Sequence, residues 1–338
     1  MLILSNALTK VVDEGCVKVA YNLVKRIKDV NEDVKVIAFD RQSSLADEYI
    51  TVNKLLLNRK LISNVKQNKG KVIYIPFPAK TRATALRIFI LSLFAGKNFR
   101  VILSMTSGMD FLSKIFFKMS RAKFIVFSKR SFELYCSTVG TKRVTYLRSG
   151  VDTEKFIPVS NERADELKRR YGFDPAKKLV LHVGHLNRGR NVQQLCKLTA
   201  NYQVLLVSST LTQDEQDLQL KNELLSSGVR LIDTYVSNIE QIYQMADVYL
   251  FPVMEQGGCI DVPLSCLEAA ACNKPIVTTD FGEMREFSGV DGVYFIDSFS
   301  VVRLNQSIVR ALHAQKISTR SAVLDYDWRF AVKDIQEG

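Results

Sequence analysis

Histidine is scarce in this chain, and its cysteines are not arranged to bind a metal ion. Only three histidines occur in 338 residues, and residues 1–150 contain none. No two of the six cysteines form a Cys-x-x-Cys pair; they are Cys16, Cys136, Cys196, Cys259, Cys266 and Cys272. Structural zinc sites need clustered cysteine and histidine ligands. We therefore expect no metal and no cofactor, and interpret the cysteines as buried apolar side chains in a reducing compartment.

Long apolar runs are also missing. The sequence has no stretch of 18 consecutive apolar residues, which is the length that a membrane-spanning helix needs. The apolar segment 1–5 is too short for a signal peptide, and no basic region precedes it. These absences predict a cytoplasmic protein that contacts a membrane only peripherally, on its inner face.

Acidic residues are rare in the first half of the chain. Residues 1–150 contain 27 Lys and Arg against 10 Asp and Glu, whereas the remainder contains 20 against 25. A basic half attracts an anionic partner, such as a phospholipid surface, a phosphorylated acceptor or a nucleic acid. The chain has no zinc-finger spacing and no aromatic RNA-binding motif, so the charge favours a membrane over a nucleic acid. A merely solvated basic face is the alternative.

Apolar runs alternate with helical periodicity along the whole chain. The predicted strands are 2–4, 34–38, 72–75, 101–103, 124–127 and 144–147, then 179–183, 204–207, 229–232, 248–251, 275–278 and 293–296. The predicted helices are 16–27, 84–94, 109–119 and 129–137, then 192–198, 213–225, 239–245, 264–272, 301–313 and a last helical segment in 318–338. This alternation predicts two Rossmann-like parallel sheets with helices on both faces. Ligands of such sheets bind at the carboxyl ends of the strands.

The segment 251–282 is the most informative part of the chain. It reads as a strand, a glycine-containing loop, a short helix and a second strand. A helix that begins at Pro263 or Ser265 would present free N–H groups to an anion, with Glu268 on its first turn. A helix N-terminus beside a carboxylate suits a nucleotide diphosphate, because the carboxylate could accept hydrogen bonds from the sugar hydroxyls. An ordinary βαβ unit with a tight loop is the alternative.

Several segments in order resemble the family-four retaining glycosyltransferases of GT-B architecture. Residues 242–282 resemble the donor-site signature and read IYQMADVYLFPVMEQGGCIDVPLSCLEAAACNKPIVTTDFG. Residues 146–158, YLRSGVDTEKFIP, resemble the interdomain segment, and 179–192, LVLHVGHLNRGRNV, resemble the first strand and loop of the second domain. The tail 326–335, YDWRFAVKDI, is similar to the closing helix, and 13–27 to the glycine turn and first helix.

This resemblance implies an α/β fold of GT-B type, with two Rossmann-like domains that face each other across a cleft. Residues 1–157 would be the basic acceptor-binding domain and 158–315 the nucleotide-sugar-binding domain. Residues 316–338 would form a C-terminal helix that packs back on the first domain.

The resemblance also implies the roles of individual residues. Glu268 would hold the ribose hydroxyls of the donor, and Arg190 would neutralise the departing diphosphate. The implied donor-binding residues are Gly15, Gly184, His185, Arg190, Gly257, Gly258, Cys259, Ile260, Leu264 and Glu268. The implied catalytic residues are Arg190, Glu268 and Asp261.

One position departs from the family pattern. Ile260 stands where the family carries the first glutamate of a Glu-x7-Glu motif, and isoleucine cannot hydrogen-bond a sugar. Asp261 is the candidate substitute, and Glu255 is a weaker one. His185 replaces a usual arginine, with Arg188 as a second cation nearby. Because the first domain has no histidine, Asp110 is the candidate acceptor-side group there.

These observations predict a retaining glycosyltransferase that moves a sugar from a nucleoside-diphosphate sugar to an acceptor. The basic half favours an acceptor that is lipid-linked or lies at an anionic membrane surface. A non-catalytic nucleotide-binding partner and a nucleotide-sugar epimerase of the same fold are the alternatives. We expect no nucleic-acid partner, since only the charge would suggest one.

Overall fold

The structure, a computed structural model, describes residues 1–39, 42–53, 55–78, 81–105, 109–209, 217–255 and 259–337. The chain divides into two compact units. The first comprises Met1–Ser149 and the segment from Trp328 onward, and the second comprises Gly150–Asp327. Each unit is built on one parallel β-sheet, as the alternating pattern predicts.

The first unit contains a seven-stranded sheet of order β3-β2-β1-β4-β5-β6-β7. Its strands are β1 Leu2–Ser5, β2 Lys35–Phe39, β3 Glu48–Ile50, β4 Val72–Ile75, β5 Phe99–Leu103, β6 Lys123–Val126 and β7 Val144–Tyr146. Its helices are α1 Gly15–Val30, α2 Arg59–Gln67, α3 Arg82–Phe94, α4 Phe111–Met119 and α5 Lys129–Val139. Side chains of Asn58, Thr81, Asp110 and Ser128 cap the starts of α2 to α5 by accepting backbone N–H groups.

The second unit contains a six-stranded sheet of order β10-β9-β8-β11-β12-β13. Its strands are β8 Leu179–Val183, β9 Gln203–Val207, β10 Arg230–Ile232, β11 Val248–Phe251, β12 Ile276–Thr278 and β13 Val293–Phe295. Its helices are α6 Asn161–Arg170, α7 Leu218–Ser226, α8 Ile239–Met245, α9 Leu264–Ala271, α10 Val301–Leu312 and α11 Thr319–Val323. A final helix, α12 Trp328–Glu337, returns to the first unit.

Strand order fixes where each sheet can bind a ligand. In the second unit, β8 pairs with β9 on one side and with β11 on the other. The chain that leaves β8 continues towards one edge of the sheet, and the chain that leaves β11 continues towards the opposite edge. Such a switch point leaves a crevice at the carboxyl ends of the two strands. The loops after Val183 and Phe251 open into this crevice.

The boundary between the units lies earlier than the sequence analysis placed it. The amide of Val151 donates to the carbonyl of Tyr326 (2.8 Å), and the Thr153 hydroxyl donates to the Asp327 carboxylate (2.5 Å). These bonds hold residues 150–157 in the second unit, so the division falls at 149/150 rather than 157/158.

The C-terminal region is also divided differently. Residues 316–327, including α11, stay in the second unit, and only α12 joins the first. There α12 packs against α1, and the Arg100 guanidinium donates to the carbonyl of Ile335 (2.8 Å). A helix cannot span the whole of 316–338, because the chain leaves helical geometry at Asp327, where φ is −63° and ψ is 139°.

Two helical predictions in the second unit need correction or restriction. The segment Val192–Leu198 is a 3-10 helix rather than an α-helix. The helix predicted at 213–225 begins at Leu218 among the residues described, and its predicted start at 213–216 lies outside them. Across the described ranges, no helix is both long enough and apolar enough to cross a membrane.

A substitution at Gly282 would test the close backbone contact between this glycine and Asp261, which holds the loop before α9. It has φ of +57°, and a Cβ atom there would lie 2.0 Å from the carbonyl oxygen of Asp261. We expect Gly282→Ala to lower the free energy of unfolding by roughly 3 kcal/mol or more, since backbone strain and a clash add. Urea denaturation measures it.

The matched control for this prediction is Gly289→Ala. Gly289 also has positive φ (+84°), but a Cβ there would have no atom within 4 Å. It should cost only the left-handed backbone strain, about 1 kcal/mol. Equal losses for both variants would contradict the importance of the contact with Asp261.

Candidate functional site

The crevice at the end of β8 is lined by a glycine with polar side chains close to it. Gly184 follows β8 directly, and its amide donates to the carbonyl of Val207 (3.0 Å). A Cβ atom at Gly184 would lie 2.9 Å from His182 Nε2 and 3.3 Å from Arg190 Nη1. Glycine is therefore the residue that leaves room between an imidazole and a guanidinium at this point.

Arg190 is held in place by its own loop. It ends a 3-10 turn, Arg188–Arg190, and its amide donates to the side chain of Asn187 (3.0 Å). The next residue, Asn191, adopts the left-handed conformation (φ 57°) and donates through Nδ2 to the carbonyl of Pro252 (3.1 Å). The loop after β8 is thus tied to the loop after β11.

The Arg190 guanidinium is a buried cation that pairs with no carboxylate in the part of the chain that the structure describes. The residue is 7% exposed, and its Nε has no hydrogen-bond partner. No carboxylate among the described residues forms an ion pair with it. Burial of an unpaired charge is costly, and an anion with oxygen acceptors would offset that cost through charge-assisted hydrogen bonds.

Arg188, the second cation expected here, differs in this respect. Its guanidinium is half-exposed and pairs with Asp217 (3.2 Å) and Glu223 (2.9 Å). Its charge is already satisfied by these carboxylates, so it does not serve as a spare cation for a ligand in this structure.

His182 is a polar residue of the site that the sequence analysis missed. Its side chain is fully buried, and its Nδ1 lies 2.8 Å from the carbonyl of Leu250. A carbonyl can only accept, so Nδ1 carries the proton, and Nε2 presents a lone pair that has no partner. Burial, opposed by the hydrogen bond to Leu250 and helped by the Arg190 charge, lowers the pKa of His182 from 6.5 to about 4. The imidazole is therefore neutral at pH 7.

Aromatic rings pack against the His182 imidazole. His182 stacks on Tyr249 with ring centroids 6.2 Å apart, and the Tyr249 hydroxyl donates to the carbonyl of Val183 (3.3 Å). Tyr249 also contacts Tyr243, at 5.8 Å between centroids. The polar edge of the crevice thus rests on a buried aromatic layer.

Glu268 lies deeper in the helix than the sequence analysis placed it. Because α9 begins at Leu264, Glu268 is its fifth residue and not part of the first turn. It is 5% exposed, and the Tyr243 hydroxyl donates to its Oε2 (2.7 Å). Burial, together with the nearby Glu268, raises the pKa of Tyr243 well above its usual value, so the phenol remains a donor.

The loop before α9 is mostly buried. Cys259, Ile260 and Leu264 are all less than 9% exposed, whereas Asp261 is half-buried. No side chain caps the first turn of α9 at Pro263. The carbonyl of Asp261 accepts the amide of Glu283 (2.9 Å). Gly257 and Gly258, which are predicted to bind the donor, lie outside the described residues.

The other predicted residues have plainer surroundings. His185 is half-buried directly after Gly184, and Glu255 is exposed. In the first unit, Gly15 begins α1, and its amide donates to the Glu14 carboxylate (3.0 Å). Asp110 caps α4 through the amide of Ser113 (2.8 Å).

Asp110 is poorly suited to receive a proton from an acceptor. The hydrogen bond from Arg82, helped by bonds from Ser113, lowers the pKa of Asp110 to about 2. A carboxylate that is this acidic is a weak base at neutral pH. Its capping bond explains its position after the strand better than an acceptor-side role does. Among the described residues, no group of three His, Cys, Asp or Glu side chains could hold a metal ion.

Comparison with known proteins agrees with this geometry. Residues 177–314, which include β8, Arg190 and α9, match the family described as Glycosyl transferases group 1. This match lies within the second unit. A putative glycosyltransferase of Bacillus subtilis, EpsD, is 27% identical over 143 residues, which are 40% of this chain and 36% of that protein. The chain therefore matches about a third of the length of this curated relative.

Solved structures resemble both units of the chain. The match to a glycosyltransferase of Rickettsia africae covers 99% of this chain and 97% of the Rickettsia chain, with a TM-score of 0.78 and 14% sequence identity. HepE of Anabaena, solved in complex with UDP, covers 99% and 98%, with TM-score 0.77 and 15% identity. These likenesses show the GT-B fold. HepE has also been solved in complex with UDP-glucose.

The neutral state of His182 in the second unit generates a pH prediction. Between its folded pKa of about 4 and its unfolded pKa of 6.5, the unfolded chain binds more protons, so stability falls as the pH falls. This residue should contribute a loss of about 3 kcal/mol from pH 7 to pH 4. In His182→Gln, whose amide can donate to Leu250 but does not titrate, that loss should be absent.

Urea denaturation of both proteins at several pH values measures this difference. Other acidic groups contribute equally to the two proteins, so the difference between their pH slopes isolates His182. Parallel slopes would show that the imidazole is not buried in its neutral form.

Proposed function

We propose that this chain is a retaining glycosyltransferase that moves a sugar from a nucleoside-diphosphate sugar to an acceptor. The observation that carries the proposal is the buried Arg190 guanidinium, which has no ion-pair partner among the described residues and lies beside Gly184 at the switch point. A diphosphate supplies the missing negative charge, and glycine lets it approach the backbone. The group 1 family match of residues 177–314 supports the same reaction class.

The donor would lie across the carboxyl ends of β8 and β11. Its diphosphate would contact Arg190 and the loop after Gly184, and its ribose hydroxyls would bond to Glu268. The backbone of residues 259–264 would contact the sugar, with the uncapped first turn of α9 close to the phosphates. HepE of Anabaena has been solved with UDP and with UDP-glucose, so uridine is the base to test first.

The chemistry would depend on stabilising the leaving group. The bond from the anomeric carbon to the diphosphate oxygen breaks, and a bond from the same face to the acceptor oxygen forms. The acceptor proton passes to the departing diphosphate, which thereby acts as the base. Arg190 stabilises the negative charge that develops on the diphosphate, in a site where burial strengthens the interaction.

The sugar contact is the least usual part of this site. Ile260 is buried and offers only its backbone to a ligand, so Asp261 remains the side chain that could accept a sugar hydroxyl. Its backbone is fixed by Glu283 and Gly282, and its carboxylate is half-buried.

The acceptor would bind to the first unit. Its excess of Lys and Arg over Asp and Glu suits an anionic acceptor, and we extend the proposal to a lipid-linked acceptor at the inner, anionic face of a membrane. Asp110 has no part in this proposal, because it caps α4.

Two other functions of the same fold are distinguished by product analysis. Ile260 motivates a non-catalytic nucleotide-binding partner, which would bind UDP but consume no UDP-sugar. An epimerase would convert the UDP-sugar without an acceptor. Transfer with retention is supported only if the product glycoside has the donor's anomeric configuration, measured by proton NMR.

Nucleotide binding tests the role of Arg190. In a thermal-shift panel of UDP, GDP and ADP, one nucleotide should raise the melting temperature of the wild type. Arg190→Gln should weaken that binding at least tenfold, since it removes a buried positive charge that would face the diphosphate.

Arg188→Gln is the matched control. It also removes one positive charge, two residues from Arg190, but the guanidinium that it removes is already paired with Glu223. It should bind the nucleotide like the wild type. Equal effects of the two substitutions would point to a general loss of positive potential and against a specific contact.

Glu268 needs a test that separates ligand binding from packing. Glu268→Gln can still accept the Tyr243 hydroxyl but accepts fewer ribose hydrogen bonds, so nucleotide affinity should fall about tenfold. Tyr243→Phe removes the 2.7 Å bond and leaves the carboxylate, so affinity should change less than twofold. Calorimetric titration measures both. If only Tyr243→Phe weakened binding, Glu268 would have a packing role alone.

A further inference from the structure

One face of the first unit exposes large apolar side chains. The helices α3 and α4 pack against each other, with the rings of Phe89 and Phe116 6.0 Å apart. On their outer sides, Phe111 is 76% exposed, Met119 58%, Leu93 54% and Leu112 47%. We call the surface formed by these four side chains and the half-buried Ile115 the α3–α4 face. Exposed apolar groups at this density mark an interaction surface.

The α4 sequence arranges this surface with helical regularity. Phe111, Ile115 and Met119 follow one another at intervals of four residues, so they form one stripe along the helix. Ser113 and Phe117 lie on the opposite side and are buried. Lys114 and Lys118 are exposed and run beside the apolar stripe.

The surroundings of the α3–α4 face are almost free of negative charge. Residues 49–139, which extend through α5, contain 17 Lys and Arg but two acidic residues, Asp110 and Glu133. The Asp110 carboxylate is occupied by Arg82 and by the amide of Ser113. The exposed cations near α3 and α4 make no ion pair within the described part of the chain; they are Lys97, Lys114, Lys118 and Arg121.

The combination of exposed apolar side chains and unpaired cations favours one kind of binding partner over others. A second copy of the chain would bring the same positive charges to the contact, which opposes self-association through this face. A nucleic acid would satisfy the lysines but leave the phenylalanine, leucine and methionine side chains in water. An anionic lipid surface satisfies both, because apolar side chains enter the acyl boundary while lysines reach the phosphates.

We propose that the α3–α4 face docks the protein on an anionic lipid bilayer, with Phe111, Ile115 and Met119 inserted and Lys114 and Lys118 at the headgroups. The inference rests on the proposed function only in naming where a lipid-linked acceptor would be met. The docking itself depends on the first unit and not on the donor site.

Vesicle sedimentation tests the docking. The wild type should bind vesicles of phosphatidylcholine with phosphatidylglycerol at least tenfold more tightly than vesicles of phosphatidylcholine alone. Phe111→Gln with Met119→Gln should weaken binding to the anionic vesicles more than tenfold, since it removes the inserted side chains. Lys114→Gln with Lys118→Gln should abolish most of the preference for anionic lipid.

Lys25→Gln with Lys177→Gln is the matched control, since it removes two exposed, unpaired lysines outside α3 and α4. It should retain the preference, and all variants should melt within a few degrees of the wild type because the changed side chains are exposed. The proposal is overturned if the wild type ignores vesicles or lipid charge, or if the control loses as much binding as the α4 variants. It is also overturned if the Phe111→Gln, Met119→Gln variant instead dissolves a dimer seen by light scattering.

Nucleotide titration separates this proposal from the donor site. The α4 variants should bind UDP as the wild type does, and Arg190→Gln should bind vesicles as the wild type does. A wild type that binds UDP but not anionic vesicles would thus reject the docking surface and leave the proposed reaction standing. A wild type that binds the vesicles but no nucleotide would reject the donor site and leave the docking surface standing.

Discussion

The second unit depends on one electrostatic constraint, which is a buried positive charge that no carboxylate of the described residues neutralises. Arg190 is fixed from both sides: Asn187 holds its backbone, and Asn191 ties its loop to Pro252 beyond the neighbouring strand. The neutral His182 keeps a second positive charge away from it. A site that keeps its cation in place before the ligand arrives does not have to reorganise on binding, and this preorganisation is what makes charge stabilisation effective in catalysis.

The parallel architecture was predictable because buried strands carry a simple signal. The runs at 72–75, 179–183 and 248–251 match β4, β8 and β11 residue for residue, since strands covered on both faces need apolar side chains throughout. Polar elements gave no such signal. Ten residues of α6 bury only Leu167 and Lys168, whose ammonium pairs with Asp247 (2.7 Å), so the helix has almost no apolar stripe to recognise. The short strand β3 and helix α2 were missed for the same reason.

The site was less predictable than the fold, because contacts between distant segments decide it. Sequence order identified Glu268, but the bond from Tyr243, 25 residues away, shows that part of this carboxylate is used inside the protein. Arg188 and Arg190 look alike in the sequence, and only their surroundings separate a paired surface cation from a buried unpaired one. His182 is a single polar residue within an apolar strand, and the sequence does not indicate its role. The pairing of β8 with β11 places the carbonyl of Leu250 beside its imidazole.

The contact between Gly282 and Asp261 has a consequence for how the loop before α9 could diversify. The loop before α9 is anchored through main-chain atoms, namely the Asp261 carbonyl, the Glu283 amide and the space that glycine leaves. Such an anchor does not depend on which side chains positions 260 and 261 carry. Substitutions at these two positions would therefore change the side chains that the loop presents while the path of the loop stays the same.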